Sequence, residues 1–225
     1  MKKLYLLISV VVCLNCNQSD SNSSKSSSDT LTRDLFKELD SLIPKESEKI
    51  TIIKRKTDTT LLLKTAVEIL RTIKIRDYNK FASFIQPEYG VRFSPYAYID
   101  TTESQVLSVD QIIQLSKQKN KINWGSAWDP DMDPELFTID EYFKKYVYDV
   151  DFLNADLKSI NEFHTQGTDL NNIEEVYPNC DIVEFYFPGF EEKYGGHDFR
   201  GLRLVFQFHN DKPYLVAIVH DEWTP

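Results

Sequence analysis

The C-terminal third of the chain constrains the fold most strongly, because apolar residues alternate there along consecutive segments. The alternating residues are Val183, Phe185 and Phe187 in one segment and Leu202, Leu204, Phe206 and Phe208 in the next. Such alternation is typical of β-strands that bury one face. Asn210 and Asp211 then predict a turn into a third strand over residues 214–220, with a turn of residues 210–212 placing His220 opposite Leu202. The pattern therefore predicts an antiparallel sheet.

Helical patterns precede these strands. The first apolar helical face consists of Leu62, Leu63, Ala66, Ile69, Leu70 and Ile73. Asp77 predicts the N-cap of a second helix, and Ser108 with Gln111 and Thr138 with Glu141 predict two capping boxes. This order predicts an α+β fold with N-terminal helices packed on a curved, cone-like antiparallel sheet and a strand-rich C-terminal part.

The first sixteen residues have the layout of a bacterial lipoprotein signal peptide. Lys2 and Lys3 precede the apolar run Leu4–Leu14, which is shorter than the roughly 20 residues that span a bilayer. Cys16 follows where the chain becomes polar. We therefore expect residue 16 to carry acyl chains such as palmitate, on a bacterial membrane of the cell envelope, facing the periplasm or the exterior. The alternatives are lipidation of Cys13 and an ordinary secretory signal.

Three regions follow from this assignment. Residues 1–15 are the expected signal peptide, and residues 16–58 form a tether that includes a short amphipathic segment. Seven of the ten residues 19–28 are serine, which favours a flexible linker. Residues 59–225 are expected to form a single α+β domain.

Composition excludes several classes of function. The net charge of −9 opposes nucleic-acid binding, which depends on cationic side chains that neutralise phosphates. The three cysteines leave only Cys180 once Cys16 is lipidated and Cys13 is removed, so neither an intramolecular disulfide nor a Cys-based zinc site is expected. Seven glycines and no matching motif argue against phosphate-binding loops. We expect no cofactor.

Two groups of residues in the sequence are candidates for metal binding. His209 and His220 flank the last hairpin, but seven residues of strand would separate them by roughly 23 Å, so they cannot share a metal ion. The sequence thus predicts no His-based metal site on this hairpin. In the loop before the second capping box, Asp129, Asp131 and Asp133 alternate and could wrap a calcium ion, although the sequence fails the EF-hand pattern. A solvated acidic loop is the alternative.

One set of polar and aromatic residues is predicted to line a pocket. The set consists of Arg92, Tyr96, Trp124, Trp128, Arg203, His220 and Trp223. The arginines could bind a carboxylate or a phosphate, and Asp221 could orient His220 as a general base. The alternatives are core packing of the aromatic residues, a structural histidine, and arginines paired with Glu184, Asp198 or other local acids.

The order of elements resembles the nuclear-transport-factor-like, or SnoaL-like, cone. In addition, the stretches QPEYGVRFSPYAY, NNIEEVYPNC, FYFPGF, FRGLRLVF and HDEWT are similar to an uncharacterised family of secreted bacterial proteins and lipoproteins. This resemblance covers roughly residues 65–225 and implies no known activity.

Two functions remain open from the sequence. The first is a tethered binding or interaction module for a small-molecule or protein ligand, held at the membrane by its lipid. The second is an isomerase-like or hydrolase-like enzyme that uses a cone pocket with His220 as general base. The chain contains neither a nucleophile elbow nor a dinucleotide fingerprint, so the sequence does not decide whether it is an enzyme.

Overall fold

The computed structural model describes residues 58–125, 136–164 and 171–223, all within the compact unit Arg55–Pro225. The predictions for the signal peptide, the tether, Cys16, Trp128 and the loop with Asp129, Asp131 and Asp133 lie outside these ranges. Within the described ranges, no helix combines the length and apolar character that crossing a bilayer requires.

The helices are short apart from the first and third. They are α1 (Thr59–Lys74), α2 (Tyr78–Ala82), α3 (Val109–Gln118), α4 (Ile139–Tyr142) and α5 (Ile173–Val176). Helix α4 continues directly as a π-helix over Phe143–Val147, and 3₁₀-helices cover Phe152–Asn154 and Glu192–Tyr194. Both predicted capping boxes are confirmed, as is the N-cap at Asp77. Each cap satisfies backbone amides that lack a partner in the first helical turn.

The main sheet has six strands, with the longest in the middle and the shortest at the edges. They are β1 (Val91–Ser94), β2 (Val106–Leu107), β5 (Leu157–Ile160), β6 (Asp181–Phe187), β7 (Arg200–His209) and β8 (Lys212–Glu222), in the order β2-β1-β8-β7-β6-β5. Neighbours are antiparallel except β1 and β8, which are parallel. Strands β3 (Ile122–Asn123) and β4 (Leu136–Phe137) form a separate ribbon. The predicted α+β class with a mainly antiparallel sheet is confirmed.

A β-bulge sets the register of the last hairpin. Asn210 and Asp211, both with positive φ, form a two-residue turn, and His209 pairs with Lys212. The predicted turn of residues 210–212 is therefore wrong. The register shifts by one residue at Val216, so that His220 still pairs with Leu202 as predicted.

The sheet is buried on both faces. One face packs against α1, α2 and the π-helix in a core that includes Leu202, Leu204 and Phe206. The second face carries a smaller core composed of Ile99, Ile173, Ile182, Val205, Val216, Ala217 and Val219. Alternation had predicted a half-buried sheet, but α5 and its flanking residues cover the second face, so β6 is buried along its interior.

Candidate functional site

The residues predicted to line one pocket lie in separate surroundings. His220 pairs with Leu202 and so belongs to the first face, whereas Arg92 pairs with Ala217 and Arg203 with Val219 of the second face. Trp223 is half-exposed and stacks on His197 with ring centroids 5.3 Å apart. The structure therefore separates the two arginines from His220 by the thickness of the sheet.

Trp124 belongs to the core of the first face. Its indole stacks on Tyr142 at 4.0 Å, and its Nε1 donates a hydrogen bond to the carbonyl of Phe137. Tyr96 remains near His220, because both rings contact Tyr146 at centroid distances of 6.1 and 6.0 Å. Of the predicted set, the structure thus brings Tyr96 and His220 together around a third aromatic ring.

His220 lies at the end of β8 and is completely buried, with 0% of its surface exposed. Its Nε2 is 3.2 Å from Oδ1 of Asp149, and its Nδ1 is 3.3 Å from the carbonyl oxygen of Pro95. Asp221 was predicted to orient the ring, but successive strand residues point to opposite faces, and Asp221 contacts Arg203 instead. Asp149, which follows the π-helix, takes that position.

Arg200 completes what we call the His220 cluster, which consists of Asp149, Arg200, His220 and Glu222. Arg200 Nε donates to Oδ2 of Asp149 at 2.8 Å, and its Nη2 lies 3.1 Å from Oε2 of Glu222. Burial alone would raise the pKa of Asp149. The hydrogen bond with His220 and the charge of Arg200 help to hold that pKa below its usual range. The carboxylate is therefore ionised at neutral pH.

Arg203 forms the centre of a buried triad with Glu184 and Asp221. Its Nε donates to Oε1 of Glu184 at 2.9 Å and its Nη2 to Oδ2 of Asp221 at 2.6 Å. The guanidinium also lies 5.0 Å from the ring of Phe163. The alternative prediction that Arg203 pairs with Glu184 is confirmed, so both carboxylates already neutralise this arginine.

Arg92 differs from Arg203 because neutral groups hold it. Its Nε donates to the hydroxyl of Tyr177 at 3.1 Å, and its Nη1 donates to Oγ of Ser104 at 2.7 Å. Among the residues that the structure describes, no carboxylate lies within ion-pair distance of Arg92. No described group accepts a hydrogen bond from its Nη2. The guanidinium is thus fixed in orientation without an ion pair to a described residue, and its charge also acts on the exposed carboxylate of Asp100.

Arg92 lines a half-enclosed cleft of about 290 Å³, which we call the Arg92 cleft. The lining residues are Tyr89, Gly90, Arg92, Val106, Tyr177, Cys180, Gln207 and Val216. Burial raises the pKa of Cys180 to about 11 and also raises that of Tyr177, so both groups are neutral at pH 7. Within this described lining, Arg92 is thus the only charged side chain, and the cleft has the charge to hold an anion.

Some of these residues left a signal in the sequence and others did not. Arg92 stands out as a cation in an apolar strand, but nothing local connects it to Tyr177, which lies 85 positions away. Glu222 could have been found, since it shares a strand face with His220 two positions before it. Asp149 could not, because it follows an irregular π-helical segment that no periodicity predicts.

Comparisons with known protein families, with curated proteins and with solved structures find no match to this chain. A fold by itself does not determine function. The fold and the site define an α+β protein with a preformed cationic cleft, and function is therefore argued from that cleft.

Proposed function

We propose that this protein is a binding module of the bacterial cell envelope, anchored by a lipid at Cys16, whose Arg92 cleft binds a small organic anion. A single observation carries the ligand assignment, namely that Tyr177 and Ser104 hold Arg92 in the lining of the cleft while no described carboxylate forms an ion pair with it. A preorganised guanidinium loses little conformational entropy on binding, which favours a carboxylate or a phosphate.

The surroundings of Arg92 indicate the rest of the ligand. The side chains of Tyr89 and Val106 are 64% and 40% exposed and lie in the lining of the cleft, where they can contact an apolar or aromatic group. The volume of about 290 Å³ is at the small end of ligand pockets. An aromatic carboxylate or aromatic phosphate ester matches the charge, size and apolar rim.

The geometry supports a binding function better than it supports catalysis by His220. A general base must reach the proton that it abstracts, but the His220 ring is completely buried and an oxygen atom faces each of its nitrogens. The interior of the first face is also filled with aromatic side chains such as Phe93, Trp124 and Tyr142. An isomerase-like or hydrolase-like enzyme would require an open pocket at this place.

We further propose that the chain belongs to the family of secreted bacterial proteins and lipoproteins noted above, and that its sheet is a cone of the nuclear-transport-factor-like type. The packing of α1 across one face of a mainly antiparallel sheet supports this proposal. A cone whose interior is filled would leave the second face, with its Arg92 cleft, as the binding surface.

Replacing Arg92 with glutamine should weaken ligand binding about 10- to 100-fold, because a hydrogen bond to a charged group contributes about 1.5–3 kcal/mol. Isothermal titration calorimetry with benzoate and phenyl phosphate would measure the affinity, and acetate and inorganic phosphate would separate the contribution of the aromatic ring from that of the anion. The matched control is Arg71→Gln, since Arg71 is an exposed arginine on α1. Equal affinity of Arg92→Gln and the unchanged protein, or no binding of any of these anions, would contradict the assignment.

Replacing Cys16 with serine should abolish acylation and move the protein from the membrane fraction to the soluble fraction. Acyl chains supply nearly all of the expected membrane affinity, because a chain with net charge −9 gains little from anionic lipids. Labelling of cells with an alkyne fatty acid, followed by fractionation, would measure both effects. Cys13→Ser is the control and should remain labelled; labelling that persists in Cys16→Ser would instead assign the lipid to another residue.

A further inference from the structure

The two ring nitrogens of His220 have different surroundings. Both ring nitrogens face oxygen atoms, the carbonyl of Pro95 at 3.3 Å and Oδ1 of Asp149 at 3.2 Å. A carbonyl can only accept a hydrogen bond, so Nδ1 must carry a proton. In a neutral imidazole, Nε2 then has a lone pair that faces the carboxylate of Asp149. A cation at Nε2, either a proton or a metal ion, would satisfy the nitrogen and the carboxylate together.

The positions of three potential ligands favour a metal ion. A nitrogen of His220 and one oxygen each from Asp149 and Glu222 all lie within 4.8 Å of one another. Metal–ligand bonds of about 2.0–2.2 Å require ligand atoms within about 4.4 Å of each other. Glu222 is partly exposed at the end of β8, where its side chain has room to adjust its position toward a bound ion.

The surrounding contacts are those that orient metal ligands in proteins. The bond from Nδ1–H of His220 to the Pro95 carbonyl fixes the ring with Nε2 as the free ligand atom. Arg200 binds Oδ2 of Asp149 and Oε2 of Glu222, which leaves the other oxygen of each carboxylate available. Arg200 thus positions both carboxylates without occupying the atoms that a metal would use.

Charge adds a further argument. The carboxylates of Asp149 and Glu222 and the guanidinium of Arg200 sum to −1 when His220 is neutral, so the cluster attracts a cation. One imidazole with two carboxylates is a ligand set suited to zinc, manganese or iron, whereas calcium prefers oxygen ligands alone.

We infer that the His220 cluster binds one divalent transition-metal ion through His220, Asp149 and Glu222. The distance between His209 and His220 had predicted no His-based metal site on this hairpin, but the fold supplies two carboxylates in place of the second histidine. The inference is independent of the proposed ligand in the Arg92 cleft, since the cluster lies on the opposite face of the sheet.

The test is a titration of the full chain with Zn²⁺ and with Co²⁺, after removal of bound metal by a chelator. We expect one equivalent of Co²⁺ to give visible absorption from nitrogen and oxygen coordination, and Zn²⁺ to displace it. His220→Gln and Glu222→Gln should each lower the metal affinity at least about tenfold, because losing a ligand costs more than losing a residue that only orients a ligand. His209→Gln, at the exposed turn end of the same hairpin, is the matched control and should bind like the unchanged protein.

Glu222→Gln keeps the test decisive even if the buried His220 variant does not fold, because Glu222 is partly exposed and glutamine has the same shape. Equal metal affinity of Glu222→Gln and the unchanged chain would overturn the inference, since the metal would then bind elsewhere. The same holds if ¹⁵N spectra show His220 doubly protonated at pH 7 and unchanged on addition of Zn²⁺, because the positive charge would then be a proton.

Discussion

Replacing Arg203 with methionine is expected to lower the free energy of unfolding by about 3–5 kcal/mol. Arg203 and Glu184 are both completely buried, and Asp221 is nearly so. Removing the guanidinium leaves two carboxylates on the second face of the sheet without their shared counter-charge. Desolvation of an unpaired charge costs several kcal/mol, far more than the methionine side chain recovers by packing. Urea denaturation, followed by far-UV circular dichroism, would measure the loss.

Two further variants separate the charge effect from a loss of packing. Arg71→Met removes an exposed arginine paired with Glu68 on α1 and should change stability by less than about 0.5 kcal/mol. Adding Glu184→Gln and Asp221→Asn to Arg203→Met removes the buried charges and should restore part of the stability. If Arg203→Met alone were as stable as the unchanged protein, the triad would not be a buried ionic group.

Phe143→Ala is expected to lower the free energy of unfolding by a similar 3–5 kcal/mol, but by creating a cavity. The Phe143 ring is completely buried where α4 continues as the π-helix, and it contacts Tyr78, Phe81 and Phe93 at centroid distances of 5.3–5.6 Å. These three residues belong to α2 and β1, so the ring joins elements that are far apart in the chain. Their positions limit how far the cavity can collapse.

Phe190→Ala provides the matched control, because it removes the same side chain from a half-exposed position between β6 and β7. Its cost should stay below about 1 kcal/mol. Thermal unfolding monitored by differential scanning calorimetry would compare the two variants. A Phe143→Ala protein that unfolds at the same temperature as Phe190→Ala would show that the aromatic cluster repacks around the missing ring.

The elements that were predictable from sequence are those with local causes. The capping boxes at Ser108 and Thr138 depend on residues three positions apart, and the long strands depend on alternation within one segment. The position of His220 opposite Leu202 was predicted with a three-residue turn, whereas the structure has a two-residue turn and a bulge at Val216. The two differences cancel, because each displaces the register by one residue.

The parts that were not predictable depend on contacts between distant segments. The pairing of β1 with β8 brings Pro95 beside His220, and the turn after the π-helix brings Asp149 to the same ring. No spacing in the sequence indicates either contact. The sequence also did not predict that α5, with Ile173, packs on the second face of the sheet. This helix has only four residues and therefore a weak periodic pattern.

The graded strand lengths of the main sheet affect how the protein behaves at high concentration. A sheet edge exposes unpaired amides and carbonyls that can template pairing with another chain, which is the first step of β-aggregation. Here the edge strands β2 and β5 have two and four residues, while the three longest strands, β6, β7 and β8, lie inside the sheet. The edges therefore offer a neighbouring molecule only a few hydrogen bonds. Among the described residues, the long apolar strands β6, β7 and β8 thus have a neighbouring strand on each side, which covers at least part of each edge.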